Sequence, residues 1–401
     1  MKKAETVNGM KILTGNKAAA YGALLCRPDV ISAYPVTPQT PAIEQLYDFS
    51  AQGLLDAELI DVEGETSAIG TLIGASAAGA RTFTSTSGAG LAFMYDGYLF
   101  AAGCRLPIVM TIVNREQASP NIVATGQQDS ILMKDQGWIQ IYVENNQEIL
   151  DTIIMAYRLA EDEEILLPVN VCYEGFYLSH MSQRVEVPRW KAVDDFLLPL
   201  KNMNREILSI DEPKAFSTYV GQPKLYTEYR YKHHIAFERT KKKFDHIDAE
   251  FERQFGRKYG GQIEAYRVDD AEIVIVLMGS SAGTGKVVID EKRAEGLKVG
   301  LVKIRLFRPF PWQRLAEVFK NKKAIGVIDR NVCQPWGCGH VHFECKAVLN
   351  NMRAQIPLVG IIAGLCGADI TKDLISDLIQ TTCRASSGQD HAEVTWSDLQ
   401  E

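Results

Sequence analysis

Residues 58–90, ELIDVEGETSAIGTLIGASAAGARTFTSTSGAG, read as strand, helix, strand and glycine-rich turn. Leu59–Val62 is a short apolar run, and Thr82–Thr86 is β-branched and strand-like. Between them Glu65–Gly79 contains no proline and is built almost wholly of small and apolar residues, so a helix is predicted there. Ser87–Gly90 turns the chain. The same rhythm extends outward. Asn16–Leu25 reads as an Ala-rich helix, Val30–Tyr34 as a strand stopped by Pro35, and Pro41–Gln52 as a second helix. Downstream, Leu91–Ala102 reads as a helix and Pro107–Val113 as a buried strand. Strands alternating with helices imply a parallel sheet covered on both faces.

From Ala271 onward the alternation resumes, with strands predicted at Glu272–Met278, Val299–Ile304, Ala324–Ile328 and Leu358–Ala363. The fold class is therefore α/β, with two parallel-sheet domains over 1–188 and 263–385. Residues 189–262 form a linker with a long charged helix over Tyr229–Tyr259, and 386–401 form a polar tail expected to be poorly ordered.

The 401 residues carry 43 Lys+Arg and 50 Asp+Glu, a formal net charge of −7. That balance gives no reason to bind nucleic acid or anionic membrane, and Lys241–Lys243 read as part of a solvated helix face. No apolar run reaches the ~18 residues of a membrane span. The N-terminal MKKAETVNGMKIL lacks the apolar stretch of a secretory signal, and eight scattered cysteines fit a reducing cytoplasm.

Two tempting motifs fail on spacing. Gly279–Lys286 has five residues before its Gly-Lys and Val287 where a phosphate-binding loop needs Ser or Thr. Cys333, Cys338 and Cys345, with His340 and His342 between them, lack the two-residue spacing of iron–sulfur or zinc ligands. No metal site is predicted in this chain. The acidic run Glu161–Glu164 reads as a solvated helix end.

Three stretches carry chemistry, and each admits a plain structural reading. Tyr34-Pro-Val-Thr-Pro-Gln-Thr40 lies at a strand's carboxyl end, where Pro35 and Pro38 hold Thr37 rigidly: a ligand loop, or a stiff turn and helix cap. Glu63-Gly-Glu-Thr-Ser-Ala68 opens the small-residue helix: its carboxylates are dipole partners, or one of them protonates a ring nitrogen of a cofactor packed against the helix. Arg115, after the strand Pro107–Val113, clamps a carboxylate or forms a surface ion pair.

Taken with GNKAAAYGALL, AYPVTPQTP, RLPIVMTIVNR, DQGWIQIYVENNQEILD and FRPFP, in that order, these stretches make the chain resemble the α subunit of the 2-oxoacid:ferredoxin oxidoreductases of the pyruvate:ferredoxin type. The resemblance covers nearly the whole chain. It implies a pyrimidine-binding domain of thiamine-diphosphate enzymes followed by a transketolase-C-terminal-like domain. It implies that Glu65 contacts the aminopyrimidine and so activates the thiazolium carbon, and that Thr37 and Arg115 hold the substrate carboxylate. Pro35, Ser87 and Gly88 would lie against the cofactor. The implied reaction is oxidative decarboxylation of a 2-oxo acid, with coenzyme A taking the acyl group and electrons passing to ferredoxin or another acceptor.

The Gly-Asp-Gly…Asn signature that binds magnesium and diphosphate is missing, as are ferredoxin-type cysteine runs. The resemblance therefore implies a β subunit carrying the diphosphate and magnesium, and γ- and δ-type subunits, the latter with iron–sulfur clusters. The neutral loop Asn121–Asp129 departs from a pyruvate-type chain and opens the substrate to bulkier acids such as phenylglyoxylate. A transketolase-type transferase and a non-catalytic scaffold subunit are the rival readings.

Overall fold

A computed structural model of the chain describes residues 7–117, 120, 122–197, 199, 205–215, 217 and 219–399. The elements run β1 (Gly9–Thr14), α1 (Gly15–Cys26), β2 (Val30–Ala33), α2 (Thr40–Ala51), β3 (Glu58–Asp61), α3 (Glu65–Ala77), β4 (Thr82–Thr86), α4 (Gly88–Phe93), α5 (Tyr95–Gly103), β5 (Val109–Asn114), α6 (Gln128–Leu132), β6 (Ile139–Tyr142), α7 (Asn146–Ala160) and β7 (Val169–Glu174). They continue through β8 (Ser182–Val187), α8 (Trp190–Phe196), α9 (Pro223–Phe255), β9 (Ile263–Tyr266), β10 (Ile273–Met278), α10 (Ser281–Ala294), β11 (Val299–Ile304), β12 (Leu306–Arg308), α11 (Trp312–Phe319), β13 (Ala324–Asp329), α12 (His340–Met352), β14 (Leu358–Ile362), α13 (Lys372–Ser386) and β15 (Val394–Trp396).

Two main sheets result. The first has the order β12-β6-β7-β5-β4-β2-β3, the second β15-β14-β13-β10-β11-β9. All pairings in them are parallel except β12 with β6 and β9 with β11. Every residue of β5 and β7 is buried, as expected of strands covered on both faces, and β5 accordingly reads as a largely apolar run rather than an alternating one. Helices α1, α2 and α7 cover one face of the first sheet, and α3 and α5 the other.

The first sheet borrows β12 from the C-terminal half, with Leu306 opposite Ile141. Beside that junction a buried ionic cluster ties the halves together. Arg305 donates to Glu148 at 2.6 Å, to Asp248 at 3.1 Å and to the Gly261 carbonyl at 2.9 Å. Lys303 lies 2.8 Å from Glu144, 3.1 Å from Glu148 and 2.8 Å from Glu264.

Several readings need correction. The stretch Leu91–Ala102 is two helices, broken at Met94, because Gly88–Gly90 already starts the first. The long helix starts at Pro223 rather than Tyr229, a favoured first position for proline. The segment after Cys383 is not a loose tail: α13 runs to Ser386, and Val394–Trp396 pairs in parallel with β14. Glu161 is not solvated, since Arg81 holds it in a buried two-pronged pair at 2.6 Å. Lys241 is also buried, with its ammonium 2.9 Å from Glu238 and 3.1 Å from Gln313, and Lys243 pairs with Asp162 at 3.0 Å. For Glu161 and Lys243 a partner distant in sequence supplies the opposite charge, whereas Lys241 takes it from Glu238, three residues back on the same helix. All eight cysteines are free thiols. Among the described residues no cluster of three or more His, Cys, Asp or Glu side chains could hold a metal ion, and no helix is long and apolar enough to cross a membrane.

Candidate active site

The neighbouring parallel strands β5, β4, β2 and β3 release four segments at their carboxyl ends: Arg115, the turn at Ser87, the loop 34–39 and the start of α3. Adjacent carboxyl ends of parallel strands are where open α/β sheets build binding crevices.

Glu65 is the first residue of α3 and only 7% exposed. The positive end of the helix dipole lies at its carboxylate. That carboxylate has no hydrogen bond or ion pair among the described residues, a rare condition for a buried acid. A Cβ placed on Gly90 would come within 2.2 Å of its Oε1 and 2.8 Å of Thr86 Oγ1, so only glycine leaves the carboxylate uncovered. Thr86 Oγ1 is itself buried without a partner. On the outer side of α3, a Cβ at Gly70 or Gly74 would meet nothing within 4 Å, leaving bare helix backbone.

Arg115 is also 7% exposed. Its Nη1 donates to the Thr37 carbonyl at 2.6 Å, and its Nε is buried without a partner. Gly88, at φ +51°, would put a Cβ 1.9 Å from that Nε. The two ends of one short turn in α4 thus shape both side chains: Gly88 lies against Arg115 and Gly90 against Glu65. Thr37 is exposed, next to a cis bond to Pro38. The loop is held by Asn16 Nδ2 on the Pro38 carbonyl at 2.8 Å and Gln39 Nε2 on the Tyr34 carbonyl at 2.8 Å. Pro35 is exposed on the same loop. The Ser87 hydroxyl donates to the Val113 carbonyl at 2.6 Å, tying the ends of β4 and β5 together.

Sequence reasoning missed Asp129. Its buried carboxylate accepts from Gly88 N at 3.0 Å and Arg115 N at 3.1 Å on one oxygen, and from Asn114 Nδ2 and Ser130 N at 2.8 Å on the other. Burial raises this carboxyl above its ordinary range, against hydrogen bonds that favour the anion. No spacing rule marks it, because its donors lie on α4, β5 and α6. Neither Cys333, Cys338 nor Cys345 joins this site: the first two meet across a short bridge, with Cys333 N 2.7 Å from the Cys338 carbonyl, and Cys345 lies on α12.

Gly88→Ala is expected to displace the Arg115 guanidinium and to lower kcat/KM of the assembled enzyme by about 10- to 100-fold, the penalty of a misplaced positioning group. The loss should be mainly in KM. Steady-state kinetics with unchanged parameters would contradict this geometry.

Residues 21–249 match the family model described as pyruvate flavodoxin/ferredoxin oxidoreductase, thiamine diphosphate-binding, and residues 271–375 match pyruvate:ferredoxin oxidoreductase core domain II. A pyruvate synthase subunit PorA of Methanocaldococcus jannaschii is 46% identical, over 94% of this chain and 95% of that protein. The alpha subunit of NADH-dependent phenylglyoxylate dehydrogenase of Aromatoleum evansii is 41% identical, over 92% and 89%. The ketoisovalerate oxidoreductase subunit VorA of Pyrococcus furiosus is 43% identical, over 97% and 98%. Among solved structures, the 2-oxoglutarate:ferredoxin oxidoreductase of Magnetococcus marinus, with 2-oxoglutarate, coenzyme A and succinyl-CoA bound, superposes with a TM-score of 0.73 at 20% identity, over 93% of this chain and 65% of that one. A split-gene transketolase in an inactive tetramer gives a TM-score of 0.50 at 14% identity, a likeness of fold alone.

Proposed function

The chain belongs to the pyruvate flavodoxin/ferredoxin oxidoreductase family and is a subunit of a 2-oxoacid oxidoreductase, and from that membership we propose how its own residues serve the reaction. The proposed reaction converts a 2-oxo acid and coenzyme A to acyl-CoA and carbon dioxide, passing two electrons to iron–sulfur clusters and then to ferredoxin or another acceptor.

The observation that carries the assignment is the buried, unpartnered carboxylate of Glu65 at the start of α3, left open by Gly90. A buried acid without a donor fits a cofactor ring nitrogen, and the glycine cradle fits a flat ring at close approach. Thiamine diphosphate, when bound, supplies the carbon that attacks the 2-oxo group and the ring system that holds the electrons. Glu65 holds the proton at the aminopyrimidine nitrogen. Arg115 and Thr37 bind the substrate carboxylate, the free Nε of Arg115 giving the guanidinium a second donor. Pro35, Ser87 and Gly88 shape the wall between them.

This chain supplies the pyrimidine half of the site. A β subunit carries the diphosphate and magnesium, γ- and δ-type subunits complete the complex, and the δ-type subunit brings the clusters. The complex works in the cytoplasm. A transketolase-type transferase is disfavoured, because the full-length relatives at 41–46% identity are named as oxidoreductase subunits.

Those relatives are named for three different acids at nearly equal identity, so overall similarity does not choose the acyl group. Beside the residues that follow Arg115 a cleft of about 520 Å³ is lined by apolar residues such as Ile122, Leu132 and Leu365 and by the polar Glu116, Gln128 and Gln334. Asn121 of the neutral loop lies outside the described residues. The apolar part of that lining supports a 2-oxo acid with a bulky side chain. The reconstituted complex should reduce a viologen dye only with a 2-oxo acid and coenzyme A, and should prefer branched or aromatic acids to pyruvate by about tenfold, since each extra buried methylene contributes roughly 1 kcal/mol or more. A preference for pyruvate would reject the bulky substrate, and turnover by this chain alone would reject the divided site.

A further inference from the structure

The hydroxyls of Thr82, Thr84 and Thr86 on β4 are all buried without a hydrogen-bond partner. Alternate residues of a strand share a face, so the three lie in one row. Met110 and Ile112, paired with Thr84 and Thr86 across the parallel ladder to β5, belong to the core that also holds Ile69 and Leu72 of α3. The row therefore runs beneath α3. Thr86 is its last member, at the carboxyl end of β4 where the crevice opens. A buried polar atom left unpaired is costly and calls for an explanation.

The surroundings of Gly90 supply one. A Cβ built there would lie 2.2 Å from Glu65 Oε1 and 2.8 Å from Thr86 Oγ1. The hydroxyl and one carboxylate oxygen thus border the same small space. Oε2 of Glu65 lies farther from that point than either, so the carboxylate turns one oxygen toward Thr86 and keeps the other for a different donor. The backbone is fixed on both sides of the pair. Ser87, next to Thr86, is tied to the Val113 carbonyl at 2.6 Å, and Thr66, next to Glu65, to the Phe93 carbonyl at 2.5 Å.

Given the role proposed above for Glu65, on which this rests, we infer that Thr86 is its positioning residue. The Thr86 hydroxyl donates to the carboxylate oxygen that faces Gly90, and the second oxygen is left to meet the cofactor ring nitrogen. A hydroxyl donor favours the charged form of a carboxylate. Thr86 therefore fixes the rotation of the carboxylate and biases the shared proton toward the ring. The β-branch of threonine suits this task, since it leaves the hydroxyl few rotamers.

Thr86→Val exchanges the hydroxyl for a methyl group at nearly equal volume and is tested in the complete complex beside Thr86→Ser. In the valine variant kcat should fall about tenfold or more, the rate equivalent of one hydrogen bond to a charged group, with KM for the 2-oxo acid unchanged. The serine variant should recover the loss. A second readout needs no turnover: near-ultraviolet circular dichroism of the complex loaded with thiamine diphosphate and magnesium, without 2-oxo acid, reports the protonation state of the bound pyrimidine. It should change in Thr86→Val and not in Thr86→Ser. In a Glu65→Gln background Thr86→Val should cost nothing further, because the amide offers no charge to support. Thr86→Ala replaces the valine variant if the latter does not assemble. Parent-like kcat and spectrum in Thr86→Val, a serine variant no better than the valine one, or an equal loss in both backgrounds overturns the inference. Full turnover in Glu65→Gln alone would instead reject the role of Glu65 itself, so the two failures are distinguishable.

Discussion

Glu65→Gln is expected to leave the complex assembled and to lower its turnover of the 2-oxo acid by about 10²- to 10⁴-fold, the usual contribution of a positioned acid–base group. The substitution is nearly isosteric, so the fit against Gly90 and Thr86 is preserved. What disappears is the exchangeable proton, because an amide cannot give and take one at the ring nitrogen. The loss should appear in kcat, with little change in KM, since Arg115 and Thr37 are untouched. Subunit composition measured alongside separates this outcome from failed assembly. Wild-type turnover in an intact complex would sink the proposed role and return the chain to a scaffold.

Arg305→Met is expected to destabilise the protein by about 3–5 kcal/mol, the consequence of leaving buried charges without a partner. Arg305 is fully buried and faces Glu148 and Asp248. Lys303 remains beside Glu148, but Asp248 has no other basic partner among the described residues. The pH dependence has a definite sign. Burial alone raises the Glu148 carboxyl, yet Lys303 and Arg305 override it and hold it below its ordinary value. A depressed folded-state value gives stability that is complete above the ordinary glutamate range of about 4.3 and is lost as pH falls below it. Denaturant unfolding should show that acid-side loss in the parent and less of it in the variant. A change under about 1 kcal/mol would mean that water reaches the cluster.

The sheet strands were the most legible part of the chain. Segments such as Val109–Asn114 and Ile273–Met278 are buried on both faces, and that condition is written locally as an unbroken apolar run. Half-buried or edge elements were not legible: β12 has three residues and exists only because β6 offers an open ladder. At the candidate site, Glu65, Thr37 and Arg115 stood out by lying at a helix start or in segments that follow strands, and the family resemblance gave them roles. The structure joins them through α4, with Gly88 against Arg115 and Gly90 against Glu65. Asp129 escaped notice, and Glu161 was misread as solvated, for one reason. Their partners come from elements far away in sequence, and no local pattern encodes such a meeting.

Asp129 grips the chain on both sides of a hairpin: the Arg115 amide lies just before the 116–128 segment, and Asp129 itself closes it. The Arg115 backbone is thereby registered by the anchor together with its bridge to Thr125. Thr125 and Gln127 in that segment are buried and bonded to Gly175 and Glu174, so exchanges are accommodated at the outer positions Pro120, Ile122 and Val123 while the clamp stays in register. One scaffold could in this way have diversified its diet of acids by editing a single hairpin, with the machinery behind it inherited unchanged.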